Sequence, residues 1–327
     1  MDEFALIRRF FTGIGPRLPE VITSVGDDCA LLQLSANEQL ALSIDTSVVG
    51  RHFPETADPW AIGWRCLAIA LSDLAAMGAR PLGFTLAITL PEADEAWLTA
   101  FSQGLAALAQ EARCPLIGGD TTRGPLTLSV QVQGALHPGK LWKRSGARPG
   151  QVIALLGELG CAAAGLASLE KNPKRLASRH TWNTLERAYL LPRPLLQEAQ
   201  RLLQGARISA AIDVSDGFLA DLQHLLASSA VAAELDIEQL PLHPELLSEL
   251  GRTLALDAAL HGGDDYALLL TLDEADFPLA RSLCPQLKRL GRIVKGAGVR
   301  TAQGEVLEPR GYNHFDGQDI LMDRISG

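Results

Sequence analysis

One segment near the middle of the chain, HPGKLWKRSGARPG at residues 137–150, is rich in glycine, proline and positive charge and poor in apolar side chains. Such a stretch suits neither a core strand nor a core helix, because proline removes a backbone donor and glycine weakens both elements. At about 100–200 residues per domain, a chain of 327 residues has room for two domains. The sequence therefore predicts an N-terminal domain at 1–137, a linker at 138–150 and a C-terminal domain at 151–327.

Strand and helix patterns occur on both sides of this segment without regular alternation. Alternating or continuous apolar residues predict strands at 39–45, 82–90, 126–136, 151–156, 231–237 and 266–272, and a short strand leading into Asp213. Helices are predicted from Asp58-Pro59 to Gly78 and at 93–113, 194–204 and 217–229. Because the two kinds of element mix irregularly, the predicted fold class is α+β rather than a doubly wound sheet.

Charge and composition exclude several classes of function. The formal net charge is −9, which argues against a broad nucleic-acid surface, since phosphate binding needs a basic face. No uncharged apolar run reaches the roughly 18 residues of a membrane span, and the N-terminus MDEFALIRRFF is not a secretory signal. The five cysteines form no CxxC pair, which argues against a disulfide framework and a cysteine zinc site. We expect a cytoplasmic protein with no membrane partner.

The common nucleotide and hydrolase motifs do not fit. Residues 134–141, GALHPGKL, come close to a Walker A loop, but Leu141 replaces the hydroxyl residue and Pro138 removes one backbone donor. GxGxxG, HExxH and GxSxG do not occur, and the histidines show no ligand spacing.

What distinguishes the chain is a set of aspartates beside Gly, Ser or Thr in otherwise apolar segments. They are Asp27, Asp28, Asp45, Asp73, Asp120, Asp213, Asp216, Asp264 and Asp265. Any one of them alone is best explained as a turn residue or helix cap. Asp73 and Asp45 fit that explanation worst, because they lie in an apolar helix and an apolar strand and a buried charge needs a partner. Cations would neutralise the whole set, and oxygen ligands favour Mg²⁺, which proteins usually hold together with phosphates. The sequence therefore suggests a magnesium–nucleotide site of a non-Walker kind.

The longer motifs around these aspartates resemble a known family. GDDCALL, SIDTSVVGRHF, LSDLAAMGA, LIGGDTTRGPL, RSGARPG, IDVSDG, GGDDYAL and GYNHF occur in this order between about residues 4 and 316. Together they resemble the thiamine-monophosphate kinase family, of the superfamily of aminoimidazole ribonucleotide synthetase and selenophosphate synthetase. The resemblance implies two α+β domains, and a homodimer whose N-terminal sheets pair into a shared barrel. It also implies Mg²⁺- and ATP-dependent phosphorylation of thiamine phosphate to thiamine diphosphate.

The resemblance also implies a role for each matching residue. The metal ligands, several ions per site, would be Asp28, Ser43, Asp45, Asp73, Asp120, Asp213 and Asp216. The ATP contacts would be Gly119, Asp120, Arg144 and Ser215, and the thiamine phosphate contacts His52, Asp264 and Tyr312. Asp120, Asp213 and Asp45 would be the catalytic set.

Physical chemistry is compatible with these roles but leaves alternatives open. The acceptor is already an anionic phosphate, so catalysis would consist of positioning and charge neutralisation. Arg144 could meet phosphate with its planar fork, or it could be a solvated linker charge. Tyr312 with Asp264 would suit the cationic thiazolium ring, but on the residues alone a C-terminal aromatic anchor is the preferred explanation of Tyr312 and Phe315. For His52 as well, the residues alone favour an ordinary loop histidine near Pro54.

Two positions depart from the family pattern. Ile44 stands where Thr is common, so a hydroxyl ligand would be lost there if the side chain bound the metal. The chain has GGDD where GGED is common, and Asp264 is one methylene shorter than Glu. Its direct reach to the substrate is therefore in question.

Two other functions compete with this assignment. One is another ATP-dependent synthetase of the same superfamily. The selenophosphate chemistry would need a reactive Cys or selenocysteine and a Lys near the N-terminus, whereas here the first cysteine is Cys29 and the first lysine is Lys140. The other is a non-catalytic module that binds divalent ions. Against it, the aspartates are dispersed along the chain and the EF-hand pattern is absent.

Overall fold

The computed structural model describes residues 2–310, which divide into two compact units. The first unit comprises the residues up to Leu74, Ala79–Leu141 and Lys174–His180; the second comprises Ala75–Gly78, Trp142–Pro173 and the residues from Thr181 onward. The chain thus passes from the first unit to the second between Leu141 and Trp142, and each unit also takes in one short segment from elsewhere in the chain.

The first unit is built on a four-stranded sheet and two long helices. Its elements are α1 (Glu3–Leu6), β1 (Val21–Thr23), β2 (Leu31–Leu32), β3 (Gln39–Val48), α2 (Pro59–Met77), β4 (Arg80–Leu90), α3 (Glu95–Glu111), β5 (Leu116–Arg123) and β6 (Thr127–Leu136). The sheet order is β3-β6-β4-β5, in which β5 runs parallel to β4 and the other pairs are antiparallel. The strand β3 therefore lies at one edge of the sheet, and β1 and β2 form a separate small pair.

Local signals in the sequence explain where the two long helices begin and how closely they pack. The Asp58 carboxylate accepts a hydrogen bond from the backbone N–H of Trp60 at 2.8 Å, and Asp94 caps α3 in the same way. The helices approach closely at glycines, because a Cβ on Gly104 would lie 1.8 Å from the Trp60 carbonyl oxygen. On its other side α2 lies against the sheet: a Cβ on Gly134 in β6 would lie 2.9 Å from Leu74.

The second unit contains a seven-stranded mixed sheet. Its elements are β7 (Val152–Leu156), α4 (Cys161–Lys171), α5 (Thr184–Leu190), α6 (Leu196–Leu203), β8 (Ile208–Val214), α7 (Phe218–Ser229), β9 (Ala232–Leu235), α8 (Pro244–His261), β10 (Ala267–Leu272), α9 (Phe277–Leu283), β11 (Lys288–Val294), β12 (Val299–Thr301) and β13 (Val306–Leu307). The order is β13-β12-β9-β11-β7-β10-β8, and β12 with β9 is the parallel pair. Every residue of β7 and β10 is buried, so both faces of the sheet centre are covered.

The position of β8 at the end of this sheet places the IDVSDG motif. Ile212 and Val214 of β8 join a core with Phe218 and Leu222 of α7. The strand therefore leads directly through the motif into a helix that packs back on the same sheet.

The fold is of the predicted α+β class, with one mixed sheet in each unit. Neither of these sheets closes into a barrel within residues 2–310. One helix, α2, is long and apolar enough to cross a membrane by length and composition, yet 72% of the relevant window is buried. It therefore has the character of a core helix, and its membrane-like composition is weak evidence for a span.

Candidate functional site

Three of the predicted metal ligands meet at β3 and α2 in the first unit. Ser43 and Asp45 share one face of β3, since alternate residues of a strand point to the same side. The Ser43 hydroxyl donates a hydrogen bond to Oδ2 of Asp73 in α2. Both aspartates are half-buried rather than fully buried as the sequence suggested, although Oδ2 of Asp45 is buried. We call Ser43, Asp45 and Asp73 the sheet cluster.

Ile44 lies on the opposite face of β3 from the sheet cluster. It is 62% exposed, and the same outer face carries the exposed side chains of Leu40, Leu42 and Val48. Loss of a threonine hydroxyl at position 44 would therefore take no ligand from the sheet cluster, because that side chain points away from Ser43 and Asp45.

Asp120 lies on β5, which is separated from β3 by two strands. In the register Asp120 pairs with Ala87, Ala87 with Ser129, and Ser129 with Thr46. Asp120 therefore lies in the row of Thr46, on the sheet face opposite to Asp45, and it is exposed. A single copy of the sheet does not bring these two carboxylates together.

Gly119, predicted to contact ATP, is required by the close packing of β5 on β4. A Cβ at this position would lie 2.0 Å from the carbonyl oxygen of Leu86. The pairing of β5 with β4 therefore requires glycine at this position, apart from any role of Gly119 in binding a nucleotide.

Asp28 and His52 lie in irregular segments of the first unit. Asp28 is exposed, and its backbone N–H donates to the Asp27 carboxylate at 2.9 Å. Nδ1 of the His52 ring accepts from the backbone N–H of Val48 at 3.0 Å, and the backbone N–H of His52 donates to the Val48 carbonyl at 2.9 Å. His52 thus closes the turn that follows β3, with Nδ1 facing the backbone.

The second unit brings together Asp213, Ser215 and Asp216 where β8 ends and α7 begins. Asp213 is only 5% exposed, whereas Ser215 and Asp216 are half-buried. Gly217 follows with φ +124°, and a Cβ there would lie 2.7 Å from the His261 carbonyl oxygen. Only glycine meets both demands without strain.

The segment 262–266 is joined to this turn by backbone hydrogen bonds. The N–H of Asp264 donates to the Ser215 carbonyl at 2.8 Å, and the N–H of Tyr266 donates to the Val214 carbonyl at 2.7 Å. Asp264 and Tyr266 both have positive φ, at 67° and 50°. The Tyr266 hydroxyl donates to Oδ1 of Asp264 at 2.8 Å, which orients that carboxylate. We call Asp213, Ser215, Asp216 and Asp264 the turn cluster.

Two further carboxylates in this unit, those of Asp221 and Asp265, accept hydrogen bonds from backbone amides. Oδ2 of Asp221 in α7 accepts from the N–H groups of Ser215 and Asp216 at 2.9 and 3.0 Å. Burial, and then the negative charges of Asp216 and Asp213, raise the pKa of Asp221 to about 7. Asp265 accepts from the N–H of Gly160 at 2.7 Å at the start of α4, and burial raises its pKa well above the usual range.

Arg144 lies in a loop held against β8. The carbonyl of Lys143 accepts from the N–H of Ala211 in β8 at 2.8 Å, and the Ser229 hydroxyl donates to the Arg144 carbonyl at 3.2 Å. Arg144 itself is exposed. Its backbone is therefore fixed beside the strand that ends in the turn cluster, while its guanidinium faces solvent.

The predicted site residues thus form two groups in two separate units, with Asp28, His52, Gly119 and Asp120 elsewhere in the first unit and Arg144 elsewhere in the second. In the part of the chain that the structure describes, no three His, Cys, Asp or Glu side chains are gathered closely enough to hold a metal ion. Tyr312 and Phe315 lie outside the described residues.

Two residues beside the turn cluster, Asp221 and Tyr266, were not predicted from the sequence, and neither was the contact of Asp265 with the start of α4. The only available signal for Asp221 was a carboxylate in the apolar helix sequence FLADLQHLL, the same signal that singled out Asp73. No pattern in the sequence marks Tyr266, because its contact with Asp264 depends on two unusual backbone conformations close together in the chain.

Comparison with known proteins gives the same assignment for both halves of the chain. Residues 26–136 match the family described as AIR synthase related protein, N-terminal domain, and residues 148–302 match its C-terminal domain. A protein of Salmonella typhimurium named thiamine-monophosphate kinase is 40% identical over 321 residues, covering 96% of this chain and 98% of that protein. The chain belongs to the thiamine-monophosphate kinase family.

Solved structures of thiamine-monophosphate kinases have the same fold. The crystal structure of the enzyme from Stenotrophomonas maltophilia K279a aligns with a TM-score of 0.80 at 43% identity, covering 88% of this chain and 93% of that one. A structure described as AaThiL complexed with AMPPCP and TMP aligns with a TM-score of 0.76 at 28% identity, covering 86% of this chain and 89% of that one. The likeness spans most of the chain, so membership of the family rests on both units.

Proposed function

We propose that this chain transfers the γ-phosphoryl group of ATP directly to thiamine phosphate, giving thiamine diphosphate and ADP. The observation that carries this proposal is the 40% identity to a thiamine-monophosphate kinase across nearly the whole of both chains. The AaThiL complex, whose ligands are named AMPPCP and TMP, supports a nucleotide and a thiamine phosphate as the two substrates.

The donor atoms of the proposed site suit magnesium. The sheet cluster and the turn cluster offer only hydroxyl and carboxylate oxygens, which are the ligands that Mg²⁺ prefers. The residues that would hold the ions are Asp28, Ser43, Asp45, Asp73, Asp120, Asp213 and Asp216. Bound Mg²⁺ supplies neutralisation of the phosphate charges that otherwise repel one another.

The other residues of the proposed site bind and orient the two substrates. Arg144, with its fixed backbone and exposed guanidinium, would pair with a phosphate of ATP, and Ser215 would contact ATP from the turn cluster. The Tyr266 contact fixes the Asp264 carboxylate in one orientation, which suits recognition of a cationic thiazolium ring. His52 and Tyr312 complete the proposed acceptor site, and Gly119 and Asp120 the nucleotide site.

No general base is needed for this reaction, because the attacking phosphate oxygen is already ionised near neutral pH. The aspartates named as catalytic, Asp45, Asp120 and Asp213, would therefore act by holding charge and position rather than by moving a proton. This role accounts for carboxylates that differ in burial, from the exposed Asp120 to the buried Asp213.

We also propose that the protein is a cytoplasmic homodimer whose N-terminal sheets, within residues 1–137, pair into a shared barrel. The support is the outer face of β3, an edge strand on which Leu40, Leu42, Ile44 and Val48 are exposed. A long edge strand with a row of exposed apolar side chains is unfavourable in a monomer and favourable against a second copy. Pairing of two such edges would satisfy the unpaired backbone groups of β3, and closure of the two sheets into a barrel would enclose both rows of side chains.

The deciding experiment is transfer of labelled γ-phosphate from ATP to thiamine phosphate, with Mg²⁺ and then with EDTA. We expect magnesium-dependent formation of thiamine diphosphate and none with free thiamine as acceptor. Failure to transfer by folded protein that binds ATP would reject this acceptor and leave a different reaction of the superfamily. A thermal shift with Mg²⁺, with and without ATP, provides a second check: a plain ion-binding module gains nothing further from the nucleotide.

A further inference from the structure

Asp221 stands apart from the other carboxylates of the second unit. It lies in the first turns of α7, is only 4% exposed, and both of its amide contacts are made by one oxygen, Oδ2. Those amides belong to Ser215 and Asp216, which precede the helix and are members of the turn cluster.

The contacts differ from those of an ordinary helix cap. A capping side chain lies before the helix and accepts from amides inside its first turn, as Asp94 does for Ala96 and Trp97. Asp221 lies inside the helix and accepts from amides before it, as Glu186 does for the cap residue Asn183 in α5, but it reaches past the cap residue Gly217 to the two residues of the turn. Its hydrogen bonds therefore fix the turn that precedes the cap residue.

The peptide groups of the turn are held from both sides. While Asp221 accepts from the Ser215 N–H, the Ser215 carbonyl accepts from the Asp264 N–H at 2.8 Å. Burial, and the nearby charges of Asp216 and Asp213, disfavour the ionised form of Asp221 and raise its pKa. The contact therefore carries an electrostatic cost that an apolar residue at this position would not have.

We propose that Asp221 is a positioning residue for phosphoryl transfer: its Oδ2 fixes the Ser215–Asp216 turn and, through Ser215, links that turn to Asp264. This inference rests on the proposed kinase function. Asp221 acts through the backbone geometry of Ser215 and Asp216, and its negative charge is not what the reaction uses.

Two substitutions separate position from charge. Asp221→Asn removes the charge but leaves a carbonyl oxygen that can accept from both N–H groups. Asp221→Glu keeps the charge but moves the oxygens by one methylene. We expect Asp221→Asn to keep turnover within about 3-fold of the wild type, and Asp221→Glu to lower kcat by about 10- to 100-fold, the usual size of an effect on residues that orient metal ligands.

Hydrogen exchange of the Ser215 and Asp216 amides gives a readout that does not depend on activity. Both amides should exchange faster in Asp221→Glu and at nearly the wild-type rate in Asp221→Asn. Asp94→Glu is the matched control, because it moves a carboxylate that also accepts from two backbone amides but lies in the first unit. It should leave kcat and the exchange of the turn unchanged.

The opposite pattern, an active Asp221→Glu and an inactive Asp221→Asn, would show that the charge acts directly and would overturn the proposal. Wild-type exchange of both amides in Asp221→Glu would also overturn it. Absence of transfer by the wild-type protein would instead reject the kinase function, and the exchange data would still test whether Asp221 holds the turn.

Discussion

The sheet cluster and the turn cluster contain similar side chains but are built differently. In the sheet cluster, strand alternation and one helix position place the groups, and the contact between Ser43 and Asp73 is between side chains. In the turn cluster the backbone itself is fixed, by Asp221 on one side and by segment 262–266 on the other. We infer that the sheet cluster depends chiefly on the chemistry of its side chains, and that the turn cluster depends also on the backbone contacts that hold its turn.

We expect the largest effect on activity at Asp120, an exposed carboxylate of the first unit that contributes little to stability. Asp120→Asn should lower turnover by about 10²- to 10³-fold, because it would weaken the hold on the Mg²⁺ that neutralises the transferring phosphate, while the melting temperature stays the same because Asp120 is exposed. A phosphate-transfer assay measures the turnover, and thermal unfolding measures the melting temperature. Asp94→Asn is the control, since asparagine caps a helix as well as aspartate. Near-normal turnover of Asp120→Asn would remove Asp120 from the site.

The next effect tests whether the outer face of β3 is an interface. Ile44→Glu should raise the dimer dissociation constant by about 100-fold or more, because each dimer would bury two charged groups. Analytical ultracentrifugation across a concentration series measures it. Leu279→Glu changes an exposed side chain of the second unit, 46% exposed, and should leave the assembly unchanged. If Ile44→Glu sediments as the wild type does, the barrel proposal is wrong.

A smaller effect tests how tightly the backbone of the turn cluster is packed. In Gly263→Ala the new Cβ would lie 2.6 Å from the Ser215 carbonyl oxygen, so the turn must shift. We expect a loss of about 1–3 kcal/mol in the free energy of unfolding, together with reduced turnover. Gly205→Ala is the matched control, because its nearest neighbour would be 3.6 Å away. Equal stability of the two variants in denaturant titrations would show that the turn is not rigid.

Much of the fold could be predicted because its strands and helices carry strong periodic signals. The predicted strand at 126–136 overlaps Thr127–Leu136, and the helix predicted to end at Gly78 is Pro59–Met77. The strand Leu116–Arg123 was not predicted, because its glycines are weak strand formers and it is stabilised by pairing with β4. The helix Pro244–His261 was not predicted either, and Gly251 interrupts it with φ 69°.

The site could be predicted only as far as residue type carries information. Aspartates beside glycine or serine are recognisable in the sequence at Asp213, Asp216 and Asp264, but no sequence pattern indicates that Asp120 and Asp45 lie on opposite faces of one sheet. That fact depends on strand order and register, which are tertiary properties. The role of Asp221 depends in the same way on which amides the folded chain brings to it.

The smallest expected effect tests the side-chain contact of the sheet cluster. Ser43→Ala removes the hydroxyl that donates to Asp73, and because both residues are half-buried the loss of stability should be only about 1 kcal/mol. Turnover should nevertheless fall by about 10-fold, since the Asp73 carboxylate loses the group that orients it. Ser102→Ala, which removes a hydroxyl bonded to the Thr99 carbonyl in α3, should leave turnover unchanged and cost little stability, since alanine is the better helix former. Equal turnover in the two variants would mean that the Ser43–Asp73 contact serves packing alone, and the side-chain chemistry of the first unit would then reside in Asp45 and Asp120.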